Sequence, residues 1–346
     1  MKKKILLSLA ITVVLVFILV RVTSIELGDV TSTLRKISLS TLGLAFILHL
    51  SIYLLRTFRF RILIRSRRVP FMPMFDIVAF HNLSNYVLPF RTGELSYVIL
   101  LSKAGRFPVG EGVGTLLVSR IFDFVALSLI YPVSIVSLAL GGVHASRLTL
   151  ALFGLGATMF LTGIAVLALL VIRAESLGTI AERLIGFFRL DRFRFSASLK
   201  EKVGELIVSF RAMRSKKVLA GSFAISIVIL LISFLFGYVL MRGMGIRMSY
   251  LQIVFCSTLS LLANGLPINT LAGIGTMEAM WLAGCVLAGI DQSVITDAGY
   301  SSLQEMAMSS GFSLHIIVLL FIGVIGLYGI VRLKGLGRRF HAVRDN

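Results

Sequence analysis

Long apolar runs separated by short polar segments dominate this chain. Such runs are typical of helices that cross about 30 Å of hydrocarbon, and they predict spans at 5–20, 37–55, 113–139, 148–172, 218–241 and 306–331. Backbone polar groups in lipid must be satisfied within each segment, which favours helices. We therefore predict an all-α fold, a polytopic membrane helix bundle with about six full spans.

Two further apolar regions are interrupted by polar residues. Residues 77–90 lead into "RTGE" and a short run, 95–102. Residues 248–277 are broken by "NGLPINTLAGIGTME", which ends at Glu278, and are followed by the run 279–290. Proline and glycine break helices, so we interpret both regions as broken, re-entrant hairpins. The second region is also long enough to hold two full spans. The structural turns are predicted at Pro89, Gly93, Pro267, Gly273 and Gly275.

The order span, span, broken hairpin, span occurs twice along the chain. Residues 1–140 and 146–332 form the two halves of a single integral membrane domain, 1–346. Because the second half begins on the other side of the membrane, this order predicts an inverted-topology repeat. Transporters use such repeats to alternate access to a site near the bilayer midplane.

Composition and charge support a membrane protein. The chain is 57% hydrophobic, has a mean hydropathy of +0.95 and a net charge of +19. Its basic residues flank the apolar runs, as in segment 56–68, which argues against nucleic acid and for anionic lipid. The positive-inside rule predicts a multi-pass protein of the cytoplasmic membrane with both termini in the cytoplasm.

The longest polar segment, 173–217, contains apolar residues at helical spacing from Leu199 to Met213. This pattern predicts an amphipathic helix on the cytoplasmic surface. A solvated helical hairpin that packs on the bundle explains the pattern equally well.

Three acidic residues, Glu94, Asp123 and Glu278, fall within apolar regions, as do Arg91 and Arg120. A charge at the centre of a membrane helix costs about 2.5–3.5 kcal/mol, so such residues usually have a function. Arg120 and Asp123 are three apart and share a helix face. They form an internal ion pair, or Arg120 faces a polar cavity and binds phosphate.

The first break is the strongest candidate for a substrate site. Irregular backbone at membrane depth is tolerated inside protein or beside a water-filled cavity, and Asn85, Arg91 and Glu94 lie there. Glu278, after the second break, is either a proton-coupling or ligand-orienting carboxylate or a helix N-terminal cap. Substrate-binding candidates are therefore Asn85, Arg91, Glu94, Arg120, Asp123 and Glu278.

Enzyme signatures are absent from the sequence. It has no nucleophile elbow and no P-loop, and Cys256 and Cys285 lack metal-site spacing. We expect no cofactor, no metal and a transporter rather than an enzyme. Glu26 and Asp29, in a predicted outer loop, are either catalytic acids of a membrane-embedded transferase or solvated loop residues.

At these motifs the chain resembles a known family. "YLLRTFRFRILI", "NYVLPFRTGELSYVILL", "GVGTLLVSRIFDFVALSL" and "NGLPINTLAGIGTMEAMWLAG" resemble the lysylphosphatidylglycerol synthase transmembrane family, also called flippase-like. Its best understood members fuse this membrane unit to a cytosolic aminoacyl transferase domain, for which this chain has no room after its last predicted span. In the second motif, residues 269–272 lack a proline and a glycine that members often have.

The resemblance implies translocation of a phospholipid or lipid-linked glycan across the cytoplasmic membrane, without aminoacyl transfer. It points to the same residues of both breaks and to Arg120 and Asp123. The expected partners are membrane lipids and no nucleic acid. The alternatives are a transferase that uses a lipid-linked donor and a non-catalytic partner of a cell-envelope enzyme.

Overall fold

The chain folds into a helical bundle in the computed structural model, and every element in the described residues is a helix. The structure describes residues 26–66, 68–88, 92–140, 147–172, 195–263 and 271–336, with scattered positions in 13–21 and 178–187. Within these ranges the helices are α1 Leu27–Arg35, α2 Leu39–Leu63, α3 Phe71–Val87, α4 Glu94–Gly105, α5 Val109–Leu140, α6 Arg147–Ile172, α7 Phe195–Ala212, α8 Lys216–Gly243, α9 Tyr250–Ala263, α10 Thr276–Leu287, α11 Gln292–Asp297 and α12 Leu303–Leu333.

Within the described residues, four helices are long and apolar enough to cross a membrane: α2, α5, α8 and α12. They contain 25 to 32 residues, which is about 37–48 Å at 1.5 Å per residue. Helix α6, with 26 residues, coincides with the predicted span 148–172. The predicted polytopic helix bundle is confirmed, while the span 5–20 lies almost entirely outside the described residues.

Both interrupted regions form pairs of short helices. Helices α3 and α4 have 17 and 12 residues, and α9 and α10 have 14 and 12. At about 18–26 Å, each is shorter than the hydrocarbon core. The members of each pair pack against one another, as expected of a hairpin. The connections 89–91 and 264–270, with Pro89, Arg91 and Pro267, lie outside the described residues.

Helices α2 and α8, the second spans of the two halves, pack against each other in antiparallel orientation. A Cβ atom on Gly243, at the end of α8, would lie 2.7 Å from Cγ2 of Thr41, near the start of α2. At the other end, Arg59 on α2 donates to Ser226 near the start of α8, at 2.6 Å. An inverted repeat requires its second spans to be antiparallel; the division of the chain into two related halves stays a prediction.

Two further contacts between the halves correspond to each other. The last long helix of the first half, α5, packs on α9 of the second hairpin, and α12, the last long helix of the second half, packs on α3 of the first hairpin. Helix α12 crosses α3 at glycines, since a Cβ on Gly326 would lie 2.6 Å from Cβ of Leu83. Each hairpin is thereby held by a long helix of the other half.

Helix α7, within the predicted amphipathic segment 173–217, packs on α5. Phe210 and Met213 are fully buried, and a Cβ on Gly110 would come within 2.4 Å of Glu205. This contact is the packing on the bundle that the second interpretation includes, while the helical hairpin itself stays a prediction because most of residues 173–194 lie outside the described residues.

Helix α2 extends eight residues beyond the predicted span 37–55 and ends at Leu63. Arg56 and Arg59, which the charge pattern placed in a cytoplasmic segment, therefore lie within the helix, and Arg59 is only 2% exposed. Both side chains have polar partners inside the bundle: Arg59 bonds to the carboxylate of Asp123, and Arg56 bonds to the amide oxygen of Asn82.

Candidate functional site

The break in the first hairpin is a close contact between its two arms. A Cβ on Gly93 would lie 2.3 Å from the backbone carbon of Ser84 on α3, so only glycine fits without displacement. His81 lies between the same segments: its Nδ1 is 3.4 Å from the carbonyl oxygen of Gly93, and its Nε2 is 3.2 Å from the amide nitrogen of Asn85. Asn85 and Gly93 are thus brought together by a histidine.

Glu94 is the first residue of α4 and forms an ion pair with Arg120 on α5. Its carboxylate lies 3.1 Å from Nη2 of Arg120. The N-terminus of a helix carries a partial positive charge that stabilises a carboxylate. Both members of this pair retain some exposure, so the pair borders accessible space.

Asp123, one turn further along α5, pairs with Arg59 and not with Arg120. Both guanidinium Nη atoms of Arg59 donate to the carboxylate, one of them at 3.0 Å, and Nη1 also donates to Ser226. This pair joins α2, α5 and α8; Arg59 is buried, whereas the carboxylate side chain of Asp123 is one quarter exposed, as that of Glu94 is. The predicted internal ion pair of the R-x-x-D helix is therefore replaced by two pairs with different partners.

Arg56 lies one turn before Arg59 and is bonded to a neutral group. Its Nη1 donates to Oδ1 of Asn82 at 2.7 Å, and Asn82 in turn donates to the carbonyl of Val78. In this cluster, three arginines face two carboxylates, those of Glu94 and Asp123. Among the described residues of this cluster, Arg56 is therefore the arginine whose hydrogen-bond partner is a neutral group.

Glu278 lies in the first turn of α10, after the second break, and is 1% exposed. Its Oε2 accepts from the backbone N–H of Gly275 at 2.6 Å, and its Oε1 lies 2.6 Å from Nδ1 of His315 on α12. The contact with Gly275 is that of the predicted helix cap, and a proton-coupling or ligand-orienting role of the carboxylate stays a prediction.

The two pairs have equivalent places in the halves. Each glutamate begins the second arm of a hairpin, and each partner, Arg120 or His315, lies on the long helix that follows. The turn before Glu278 is tight: φ is 57° at Ala272, 80° at Gly273 and 89° at Gly275. Glycine adopts such values readily, whereas Ala272 is strained.

A central cavity of about 210 Å³ extends from Arg56 and Asn82 to Glu278 and His315, whereas Asn85, Glu94, Arg120 and Asp123 are not among the residues that line it. Helices α2, α8 and α12 and both hairpins contribute to its wall, which includes Arg56, Asn82, Glu278, His315, Tyr53 and Trp281. At ~30 Å³ per water molecule, it holds about seven waters. Pockets for drug-sized ligands usually measure about 300–1,000 Å³, so this volume fits a headgroup rather than a whole lipid.

Sequence reasoning missed Arg56, Arg59, His49 and Tyr53. Arg56 and Arg59 share a helix face at a spacing of three, and His49 and Tyr53 precede them on the wall side of α2. This helical spacing could have predicted that α2 continues through these residues. The high density of arginines in segment 56–68, which is typical of cytoplasmic loops, instead predicted that the span ends at residue 55.

Other acidic residues have structural partners. Asp76, fully buried on α3, pairs with Arg332 on α12 at 3.1 Å. Asp29 accepts from the backbone N–H of Glu26 at 2.8 Å and caps α1. The described residues hold no group of three or more His, Cys, Asp or Glu side chains suited to a metal ion.

A protein-family model for the lysylphosphatidylglycerol synthase TM region matches residues 5–298. The matched range includes both hairpins, α2, α5 and α8. No curated protein matches the chain. The match covers most of the sequence, and the chain belongs to this family of multi-pass membrane proteins.

Proposed function

We propose that this member of the lysylphosphatidylglycerol synthase TM-region family moves a phospholipid or a lipid-linked headgroup between the leaflets of the cytoplasmic membrane. The headgroup enters the central cavity while the acyl chains remain in hydrocarbon. In this proposal both termini lie in the cytoplasm, as the charge distribution predicts.

The observation that carries the proposal is the position of Arg56. This arginine lines the cavity, and a neutral amide is its hydrogen-bond partner. A guanidinium inside a membrane protein is costly unless a charge or strong acceptors compensate it. Phosphate matches the planar fork of arginine and forms strong, charge-assisted hydrogen bonds with it. We therefore infer that an anionic headgroup binds in the cavity and compensates the charge of Arg56.

The other site residues take supporting parts in this proposal. Asn85, Glu94 and Arg120 border the break through which the headgroup reaches Arg56, and Arg91 belongs to the same break. Asp123 holds Arg59 and so fixes the angle between α2 and α5. Glu278 closes the opposite wall of the cavity together with His315.

The repeat supplies a route for movement. Each hairpin packs against a long helix of the other half. In this proposal one half rocks against the other, so that the cavity opens to one side of the membrane while it closes to the other. This is the alternating-access mechanism common among inverted-repeat transporters.

Purified protein in liposomes tests the proposal. Phospholipid with a fluorescent acyl chain is added to both leaflets, and a membrane-impermeant reductant then quenches the outer label. We expect reduction to continue into the inner-leaflet label when the protein is present. Arg91→Ala and Glu94→Ala are expected to abolish that second phase while the protein stays folded. Inner label that stays protected with folded wild-type protein would refute lipid movement.

A further inference from the structure

His315 on α12 is a buried titratable residue whose ring connects a carboxylate to the cavity. Its Nδ1 lies 2.6 Å from Oε1 of Glu278, and its Nε2 has no hydrogen-bond partner among the described residues. His315 and Glu278 are 6% and 1% exposed, and both line the cavity. Buried polar atoms nearly always have a partner, from protein, water or ligand. Nε2 therefore marks a place where water in the cavity contacts the protein.

The pair of His315 and Glu278 is able to gain and lose one proton without separating. When Nδ1 of a neutral His315 donates to Glu278, the lone pair lies on Nε2. A proton that Nε2 takes up from cavity water turns the ring into an imidazolium, which still donates from Nδ1. The carboxylate, held by the backbone N–H of Gly275, compensates the new charge. Histidine is the side chain that ordinarily changes charge near neutral pH.

The other titratable side chains on the cavity wall are less suited to carry this proton. They come from α2 and α3, since the lining residues of α8 and α9 are not titratable, and they are His49, Tyr53, Arg56 and Tyr86. His49 also has an Nε2 without a partner among the described residues, but its ring packs among Tyr53, Phe236 and Phe321. Glu278 is the one carboxylate among the described residues of the wall, and it bonds to His315. An imidazolium at His49 would instead share a helix face with Arg56, two turns away.

The charges on the wall connect proton uptake to the binding of an anion. With His315 neutral, the described wall residues carry one positive charge, on Arg56, and one negative charge, on Glu278. An anionic headgroup in the cavity leaves one negative charge in excess, and a proton on His315 restores neutrality. Uncompensated charge is costly inside a membrane protein. The bound anion and the proton therefore stabilise each other, and this coupling is reciprocal.

We propose that lipid movement is coupled to protons and that His315 is the proton site, so that each anionic lipid crosses together with one proton. Nε2 of His315 takes the proton from water while the cavity is open to one side. It returns the proton to water on the other side when the headgroup leaves, and the empty cavity goes back unprotonated. Lipid anion and proton together carry no net charge. This inference rests on the proposed lipid movement and specifies its energy source.

Proteoliposomes with different pH inside and outside test the coupling. The probe is a trace of phosphatidylglycerol with a fluorescent acyl chain in phosphatidylcholine, and a membrane-impermeant reductant measures its final share in each leaflet. We expect equal shares at equal pH. Under a gradient, the probe should accumulate on the alkaline side by at most about tenfold per pH unit, because one proton accompanies each lipid. The direction does not depend on how the protein is oriented, and liposomes without protein are the control.

A matched pair of variants tests whether His315 is the proton site. His315→Gln keeps an amide N–H for Glu278 but takes up no proton, so the probe should stay equally shared under the gradient. His49→Gln is the control, because His49 also lines the cavity and also has an Nε2 without a partner among the described residues. Its probe should follow the gradient as in wild type. The final distribution is compared, and it does not depend on the rate of movement.

The possible outcomes separate this inference from the proposed function. If wild type moves the probe but leaves it equally shared under the gradient, or accumulates it on the acidic side, proton coupling is overturned and lipid movement stands. Accumulation by His315→Gln equal to that of wild type overturns the assignment to His315. If His315→Gln does not fold, Glu278→Gln is measured with the same expectation, since it removes the counter-charge of the proton. If the probe does not move with folded wild type, both proposals fail together.

Discussion

Arg59 on α2 and Asp123 on α5 form a two-pronged ion pair inside the bundle, although Arg120, three residues before Asp123, is available on the same helix face. Arg120 pairs with Glu94 of the first hairpin instead. The pair of Arg59 and Asp123 therefore joins α2 to α5, whereas the pair of Arg120 and Glu94 lies at the border of the break. The two pairs should therefore respond differently to mutation.

We predict that Asp123→Ala destabilises the protein by about 3–5 kcal/mol, because Arg59 is left buried without its counter-charge. The double variant Arg59→Met/Asp123→Leu removes both charges and should recover most of the loss. Thermal unfolding in detergent measures both. If the double variant loses as much stability as Arg59→Met and Asp123→Leu lose together when each is measured singly, the pair is not coupled as the structure indicates.

A substitution at Gly93 tests the tight contact at the first break. Gly93→Ala places a Cβ within 2.4 Å of three backbone atoms of Ser84 and Asn85, and we expect a loss of stability of at least about 1–3 kcal/mol from this overpacking. Gly221→Ala on α8 is the matched control, since nothing lies within 4 Å of its Cβ position. It should be neutral or stabilising by up to about 1 kcal/mol, the helix propensity difference.

Helix α7 should be held on α5 in a pH-dependent way. Partial burial opposes ionisation of Glu205, but hydrogen bonds from Lys202 and from the backbone of Gly110 outweigh it and lower the pKa of its carboxyl below the usual 4.5. A carboxyl with a lowered pKa stabilises the fold above its ordinary pKa, and this contribution is lost as the pH falls through the lowered value.

Glu205→Gln is therefore expected to lower the melting temperature at pH 7, and the difference from wild type should shrink at pH 3.5. Glu201→Gln is the control, because Glu201 lies on the same helix and is well exposed. A difference that stays constant between the two pH values would contradict the role of the ionised carboxylate.

The orientation of the halves is tested by labelling from either side of the membrane. Ser38 and Ser215 precede α2 and α8 and are exposed. Because these helices are antiparallel, the two positions lie at opposite ends of the pair. In a background without Cys256 and Cys285, Ser38→Cys should react from outside intact cells and Ser215→Cys only after permeabilisation. The same sidedness for both would contradict the inverted repeat.

The sequence predicted the helical bundle well because its signals are local. Charge-free runs reveal spans, and the glycines and prolines near Gly93 and Gly275 reveal broken hairpins. The sequence did not predict the contacts of Glu94 with Arg120 and of Glu278 with His315, because packing between helices brings these residues together. Spacing along the helix instead favoured an ion pair of Arg120 with Asp123, because the two residues lie within one turn. Arg56 was missed because the sequence does not show where α2 ends among the arginines.

Phosphate binding by Arg56 is tested most directly by comparing lipid movement in two variants that each lose one arginine. Arg56→Gln removes the arginine that lines the cavity. Arg61→Gln is the control: Arg61 lies on the same helix, is not among the residues that line the cavity, and donates to the carbonyl of Val69. In proteoliposomes with an anionic phospholipid probe, Arg56→Gln should slow movement between leaflets by at least tenfold, and Arg61→Gln should keep the wild-type rate. Equal rates for folded Arg56→Gln and wild type would contradict phosphate binding by Arg56 and with it the proposed site.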